Sequence, residues 1–422
     1  MNFKFHIIKR IKELYKHKIF RYALVLQSFY FILSIILYFS LYQEKNDFVI
    51  FYNVGNVFLN DIENLYNQTY YLWDFRYFPL SAFFFIPFSL LSIDSAFIIF
   101  NIFNVFLNIL ICNYLYKIIL LVRKEDHEKD DKRVILYICI YLMGLPHVLN
   151  YIYGQINLYI TFFIVLSLYI FLKYKEIKWQ FIASLTLGIS IIIKPTAFLL
   201  IPFLIIINFN LTNKKFRIEF LRSLIRIIGV LVPVLLNFIP FFLYPTLWEG
   251  FLETNFTGSN PVALNFSFSV TKLITNFCYF YNIPFNQLIL FLGVVAIIGG
   301  LGFITFLIRR FEKNSIIYGY AFGILIMLLA YFDSWDHHLL NLIPILIIII
   351  VNLPFHSKII RPLNISIFFF SFFSLIFTGI WMQIYPIFPY NFLPTLFLLL
   401  SFFAISKYCL LKQKNEKAGV LI

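Results

Sequence analysis

The chain has 422 residues, of which 61% are hydrophobic and only 13% are charged, and its mean hydropathy is +0.85. Soluble domains carry about 25% charged residues, so this composition excludes an ordinary soluble protein. Apolar runs of about 20 residues, long enough to cross a bilayer as a helix, recur from end to end. The sequence therefore predicts an all-α, multi-pass protein of the cell membrane with about 12 transmembrane helices.

The basic residues set the predicted topology. Cytoplasmic loops of membrane proteins carry an excess of Lys and Arg, so the net charge of +14 requires no nucleic-acid partner. A basic N-terminus (1–21) and a tail (412–422) are expected in the cytoplasm, on either side of a transmembrane region over 22–411. All but four of the 34 Lys and Arg residues then lie inside, and the outer ones are Lys45, Arg76, Lys194 and Lys272.

Two apolar stretches leave the topology open. Residues 78–92 are short and contain two prolines, so they could cross the membrane or lie on its outer surface, and the charge distribution favours the surface. Residues 180–209 are too long for one span. Two short helices that meet at Lys194-Pro195 on the outer side avoid placing a lysine at mid-bilayer, which costs roughly 2.5–3.5 kcal/mol. Large outer loops are then predicted at 42–93 and 246–285.

The first outer loop, 42–93, contains the candidate catalytic acid. Asp47 follows the first span and precedes FVIFYNVGNVFL, a pattern that can form an amphipathic helix on the membrane surface. An acid held at a membrane surface and followed by a cation is what an enzyme acting on a lipid-linked substrate would use. The carboxylate would take the proton of an attacking hydroxyl, and Asp47 is our candidate for this general base. The alternatives are a solvated loop acid or a helix N-cap.

Two isolated cations are candidates for binding a phosphate. Arg76 precedes Tyr77-Phe78-Pro79, and a guanidinium supplies a fork of donors that suits phosphate oxygens. Lys194 interrupts apolar sequence, and an ionisable residue within a membrane segment indicates a functional site. The alternative for either residue is a side chain that extends to the membrane interface.

Two polar runs lie at predicted outer ends of spans. In Tyr153–Asn157, the amides of Gln155 and Asn157 could hydrogen-bond sugar hydroxyls, or the run could simply connect two helices. In Asp333–His338, the acids, the tryptophan and the two histidines could bind a phosphate or a sugar, or form an interfacial loop. Too few ligands converge there for a metal site.

Taken in order, these segments resemble glycosyltransferase family 87, within the GT-C superfamily of membrane glycosyltransferases. The resemblance covers roughly residues 40–345. It rests on these segments: Asp47–Tyr52, Leu65-Tyr66, Arg76–Leu80, Gly154–Asn157, Gly188 with Ile193–Pro195, and Ser334–His338.

The resemblance implies an inverting transfer of a hexose, often mannose, from a polyprenyl-phosphate donor to a lipid- or glycan-linked acceptor on the extracytoplasmic face. It implies surface helices before the second span, membrane lipids as partners, no cofactor and no metal. Asp47 matches the position of the family's base, and the donor phosphate is assigned to Arg76, Lys194, His337 and His338. Contacts to the sugar or the acceptor are assigned to Tyr52, Tyr77, Gln155, Asn157, Trp335 and Asp336.

Two other functions are compatible with a multi-pass chain. Transporters and lipid flippases keep ionisable residues near mid-membrane and often contain internal repeats, whereas here the polar groups gather at one face and no repeat is visible. A polysaccharide polymerase or ligase would use a large loop in the C-terminal half, such as 246–285. We therefore expect an enzyme.

Overall fold

A computed structural model describes residues 14–43, 45–122, 131–210, 215–257, 267–309, 314–353, 357–383 and 392–417. Most of the predicted basic N-terminus lies outside these residues, as do parts of the predicted second outer loop and of the C-terminal tail. Within them the chain is helical apart from one short antiparallel hairpin. Its strands, β1 (Ile207–Asn210) and β2 (Lys215–Ile218), pair Ile207 with Ile218.

The first half of the chain contains most of the predicted site residues, on its helices or in the connections between them. The helices are α1 Lys18–Leu37, α2 Asp47–Asn60, α3 Ile86–Ser89, α4 Ile93–Val122, α5 Asp131–Met143, α6 Pro146–Ile152, α7 Asn157–Lys173 and α8 Ile177–Ile193. Two 3-10 segments, Pro79–Phe85 and Pro195–Leu204, precede α3 and follow α8.

The second half continues the bundle. Its helices are α9 Phe220–Leu236, α10 Phe238–Leu243, α11 Thr246–Leu252, α12 Val270–Phe280, α13 Gln287–Arg309, α14 Ile316–Ala330, α15 Leu339–Asn352, α16 Ile360–Phe368, α17 Ser374–Gln383 and α18 Leu393–Lys417. A single 3-10 turn, Asp336–His338, leads into α15.

The prediction of an all-α, multi-pass membrane protein is confirmed. Among the described residues, six helices are long and apolar enough to cross a membrane: Lys18–Tyr42, Ile93–Val122, Lys132–Ile152, Gln287–Leu307, Ile360–Phe377 and Leu393–Leu410. Further apolar helices of 10–17 residues lie between them, among them Asn157–Lys173, Ile177–Ile193 and Ile316–Ala330. The expected total of about 12 crossings stays a prediction.

Helices α14 and α15 form the centre of the bundle. Every residue of α14 from Ile317 to Ala330 is buried, as is every residue of α15 from Leu339 to Val351. A helix that is apolar on all sides belongs inside a bundle or a membrane protein, because no face of it prefers water. The connection between these two helices, residues 331–338, therefore lies at the end of the central pair.

The segment predicted as the first outer loop packs on the protein. The apolar face of α2, including Phe48, Phe51 and Val54, is buried against the segment Pro79–Ser89 and α4. The rings of Phe51 and Phe85 stack with centroids 4.6 Å apart. At 3-10 and α-helical rises, Pro79–Ser89 extends only about 20 Å, too short for a hydrocarbon core of roughly 30 Å. This length favours the predicted position on the outer surface, which stays a prediction.

Helices α5 and α6 are separated by a break at Gly144-Leu145, before Pro146. The break frees backbone carbonyl groups, and α1 supplies donors for two of them. The amide of Gln27 donates to Leu142 O, and the hydroxyl of Tyr30 donates to Met143 O at 2.8 Å. The short helix α6 is thereby held against α1, and it leads directly into the turn at Tyr153.

Candidate active site

Asp47 is the first residue of α2. Asn46 precedes it in an extended conformation, and its side-chain oxygen accepts the Val49 N–H at 3.1 Å. The Asn46 amide also donates to Tyr42 O at 2.9 Å. Asn46 is therefore the N-cap, which leaves the Asp47 carboxylate available for other partners. As a first-turn acid, Asp47 also lies at the positive end of the helix dipole.

Two groups from distant parts of the chain lie beside the Asp47 carboxylate. Gln155 Nε2 donates a hydrogen bond to Asp47 Oδ2, and the charge of Lys194 is close enough to lower the pKa of Asp47. Lys194 ends α8 with an extended backbone, which the following proline favours. Its side chain is only 3% exposed, so it is turned into the protein instead of extending to the interface.

Burial and charge act in opposite directions on Asp47 and Lys194, both of which lie outside the candidate spans. Burial raises the pKa of Asp47, while the Gln155 hydrogen bond and the Lys194 charge lower it. Burial lowers the pKa of Lys194 to about 7, against the opposing effect of Asp47 and Asp333. Each charge therefore favours the charged form of the other group.

His338 lies within hydrogen-bonding distance of Lys194, with Nε2 2.6 Å from Nζ. The backbone N–H of Trp335 donates to His338 Nδ1 at 3.0 Å. Because Nδ1 accepts this bond, the proton of a neutral His338 ring is on Nε2, so Nε2 and a charged Lys194 are both donors and cannot hydrogen-bond each other. A phosphate oxygen that contacts both side chains would accept from the imidazole N–H and from the ammonium group. We call Asp47, Gln155, Lys194 and His338 the Asp47–Lys194 centre.

Aromatic rings bound this centre. Lys194 Nζ lies 5.5 Å from the centroid of the Tyr77 ring, in the range of a cation–π contact. Tyr77 in turn stacks on Phe51 of α2, with centroids 5.8 Å apart. The rings of His337 and His338 are 4.4 Å apart. Tyr77 thus contacts Lys194 directly, and His337 contacts its neighbour His338.

A second group of charges lies nearby. Arg76 forms an ion pair with Asp333, and its guanidinium is 3.5 Å from the carboxylate of Asp74. It also donates to the Tyr331 hydroxyl. The buried Lys272 of α12 is close enough to Asp333 for the acid to act on its pKa. We call Arg76, Asp74, Asp333 and Lys272 the ionic cluster. In it Arg76, predicted to bind phosphate, is already paired with two acids.

Three predicted site residues make their described hydrogen bonds elsewhere. The Tyr52 hydroxyl donates to Leu91 O at 2.7 Å. Asn157 is fully buried, and its amide lies 3.5 Å from Asn150 Oδ1. Asp336 accepts from Ser374 Oγ. Trp335, in contrast, contributes its backbone N–H to the orientation of His338.

The structure adds one residue that the sequence did not single out, Asn46, which caps α2. It also gives Asp333, predicted as part of a phosphate- or sugar-binding run, a different partner, Arg76, across a separation of 257 positions. Asn46 could have been recognised, because Asn before an amphipathic run is a strong N-cap. The pairing of Asp333 had no signal in the sequence, since only helix packing brings the two segments together.

Three or more His, Cys, Asp or Glu side chains arranged to hold a metal ion are not found among the described residues. Asp74 and Asp333 converge, but both carboxylates face the Arg76 guanidinium, whose cation lies where a metal ion would have to bind. The residues at this end of the bundle therefore supply cations and N–H donors for an anion.

Comparison with known protein families gives one match. Residues 75–331 match the model of glycosyltransferase family 87. The match spans more than half of the chain and includes Arg76, Gln155 and Lys194, whereas Asp47 and His338 lie on either side of it. No curated protein matches the chain.

Proposed function

Since the chain belongs to glycosyltransferase family 87 and is thus a membrane glycosyltransferase, we propose that it transfers a hexose, in the first instance mannose, from a polyprenyl-phosphate donor to a lipid- or glycan-linked acceptor. The observation that carries this proposal is the convergence of an acid, a buried lysine and an imidazole from three separate segments. The acid can take the proton of the acceptor, and the pair formed by Lys194 and His338 can bind the phosphate of the donor. The reaction requires both of these tasks.

The proposed chemistry assigns one task to each side of the centre. Asp47 takes the proton of the acceptor hydroxyl while that oxygen forms a bond to the anomeric carbon. The bond from this carbon to the phosphate oxygen breaks on the opposite face of the sugar, which inverts the configuration. The electron pair stays on the released polyprenyl phosphate. Lys194 and the N–H of His338 stabilise its added negative charge, so no strong general acid is required.

We place the reaction on the extracytoplasmic face. The loops that carry Asp47, Gln155 and His338 meet at one end of the bundle. Arg133, at the start of α5, reaches the carbonyl of Ile350 near the end of α15, on the opposite end. Because Lys and Arg accumulate in cytoplasmic loops, the basic start of α5 supports an inner position for that end and an outer one for the Asp47–Lys194 centre.

The proposal is tested by transfer from a labelled donor. Full-length protein in nanodiscs is incubated with polyprenyl-phosphate mannose, or with the glucose donor, and a panel of lipid and glycan acceptors, and release of polyprenyl phosphate is measured. The Asp47→Asn variant removes the proposed base. Asp61→Asn is a matched control, because Asp61 ends the same helix and its contacts are Asn64 and Tyr70. Full transfer by Asp47→Asn, at normal expression, would contradict the proposal.

A further inference from the structure

The turn Tyr153–Gln155 contacts the start of α2 at two successive points. The backbone N–H of Phe48 donates to Tyr153 O at 3.1 Å, and the side-chain amide of Gln155 donates to Asp47. We propose that this turn is a clamp and that Gln155 is a positioning residue, which holds the Asp47 carboxylate in the orientation needed to take the acceptor's proton. The inference rests on the proposed function, because it concerns the same acid.

Gly154 makes this close approach possible. It adopts φ +61°, a conformation that favours glycine. A Cβ at this position would lie 2.5 Å from Phe48 Cβ and 3.3 Å from the ring of Phe97. No side chain fits between the turn and the first turn of α2. The contact between them is therefore a direct backbone contact, which leaves little freedom for Asp47 to move.

The turn is itself fixed from behind. The N–H of Gln155 donates to Asn150 O at 2.8 Å. Asn101 of α4 donates to Tyr151 O at 3.1 Å, and the Tyr151 hydroxyl donates to Gln27 of α1 at 2.9 Å. Two helices, α1 and α4, thus hold the short helix α6 that precedes the clamp, and α6 in turn holds Gln155. A support of this kind is what a precisely oriented catalytic group requires.

The orientation of the Gln155 amide is set by Asp47. Gln155 is 5% exposed, and its Oε1 is buried with no hydrogen-bond partner among the described residues. A buried acceptor without a partner costs roughly 1–3 kcal/mol, so packing in the core does not account for this amide. Its Nε2 faces Asp47 because two oxygens at that distance would repel each other. A residue that binds the sugar or the acceptor substrate, the role predicted for Gln155 from the sequence, would instead direct its N–H groups towards a hydroxyl of that molecule.

The clamp also acts on the charge of Asp47. The groups that face this carboxylate are Gln155, Lys194, and the hydroxyls of Tyr77 and Tyr153. Lys194 is the cation among them. Removal of the Gln155 amide takes away a donor that lowers the pKa of Asp47. The carboxylate would then be protonated at a higher pH, and transfer would be lost earlier as the pH falls.

The experiment measures transfer as a function of pH for Gln155→Ala, Gln155→Glu and the wild type, as full-length proteins in nanodiscs. For Gln155→Ala we expect kcat to fall about 10- to 100-fold, as for a misplaced catalytic group, with donor KM changed by less than about twofold. The acidic limb of kcat/KM should move to higher pH. It should move further in Gln155→Glu, because a second carboxylate disfavours ionisation of Asp47.

Asn53→Ala is the matched control. Asn53 lies on the same helix as Asp47, and its amide donates to Tyr70 O at 3.3 Å, away from the centre. It removes a side-chain amide of the same loop and should leave both kcat and the pH profile unchanged. Thermal unfolding in nanodiscs shows whether each variant folds. Gly154→Ala serves as a second test of the clamp, with the same expected shift if it folds.

The outcomes separate the two proposals. An acidic limb that does not move in folded Gln155→Ala overturns the clamp while leaving the transferase intact. A raised KM for the acceptor substrate with unchanged kcat also overturns the clamp. That result would show that Gln155 binds the acceptor substrate. If the wild type transfers no sugar from any polyprenyl-phosphate donor, the proposed function fails, and the clamp fails with it.

Discussion

The Asp47–Lys194 centre and the ionic cluster are both groups of charges at the same end of the bundle, but they differ in how those charges are paired. Arg76 is in contact with two acids, at side-chain exposures between 19% and 31%. Lys194 is almost fully buried and is in contact with an imidazole. Partly exposed ion pairs contribute about 0–1 kcal/mol, whereas a buried cation without a contacting anion is costly. Lys194, the cation that is incompletely paired, is therefore the better candidate for binding an anionic substrate.

The largest effect is expected from Asp47→Asn. The amide cannot take a proton, and general-base catalysis contributes about 10²–10⁴-fold to a rate. We therefore expect kcat to fall by this factor, with donor affinity changed little, as measured by release of polyprenyl phosphate. A loss of donor binding equal to the loss of rate would instead make Asp47 a structural partner of Lys194.

Lys194→Met tests the other half of the centre. The methionine keeps the length of the side chain and removes its charge, so we expect kcat to fall about 10²–10³-fold, as for a lost oxyanion donor. Because the pKa of Lys194 is lowered to about 7, its protonated fraction falls as the pH rises through that value. The wild-type kcat/KM should therefore decline above about pH 7, and the variant should lose this limb. If the decline of kcat/KM at high pH persists in Lys194→Met, a group other than Lys194 causes it.

His338→Leu should have a smaller effect than either substitution. The variant removes one N–H donor beside Lys194, and one hydrogen bond is worth roughly 0.5–1.5 kcal/mol. We expect the affinity for polyprenyl phosphate, the released product, to fall about three- to tenfold. His338→Gln keeps an N–H and should recover most of it. Equal losses in both variants would indicate that the ring acts by packing.

The architecture was the most predictable part of the molecule. Long apolar runs predict helices whatever their partners are, and Lys194-Pro195 marks a break because proline disfavours a helical residue before it. The depth at which each short helix lies, and therefore the number of crossings, depends on packing that a hydropathy pattern does not contain.

The convergence of candidate residues could be predicted where a residue type and its position were enough, while their roles stay predictions. Asp47, Lys194 and His338 are ionisable groups at the ends of apolar runs, and the structure brings them together. Tyr52 follows Asp47 by five residues, about 140° around the helix, so helical periodicity could have excluded it. The choice between Gln155 and Asn157 depended on where α7 begins.

The smallest expected effect belongs to the ionic cluster. Arg76→Gln removes a cation that is already paired, so we expect donor KM to change less than about threefold, and stability by about 0–1 kcal/mol. The substitution also leaves Asp333 without its ion pair, and the charge of Asp333 raises the pKa of Lys194. The basic limb of the pH profile should therefore move slightly upward in Arg76→Gln and downward in Asp333→Asn. In the double variant Arg76→Gln with Asp333→Asn, the basic limb should move as it does in Asp333→Asn, because both of these variants lack the acid. The contrary result would be a rise of tenfold or more in donor KM in Arg76→Gln that is also present in the double variant. It would show that the guanidinium leaves Asp333 to bind the phosphate. The Asp47–Lys194 centre and the ionic cluster would then form one site.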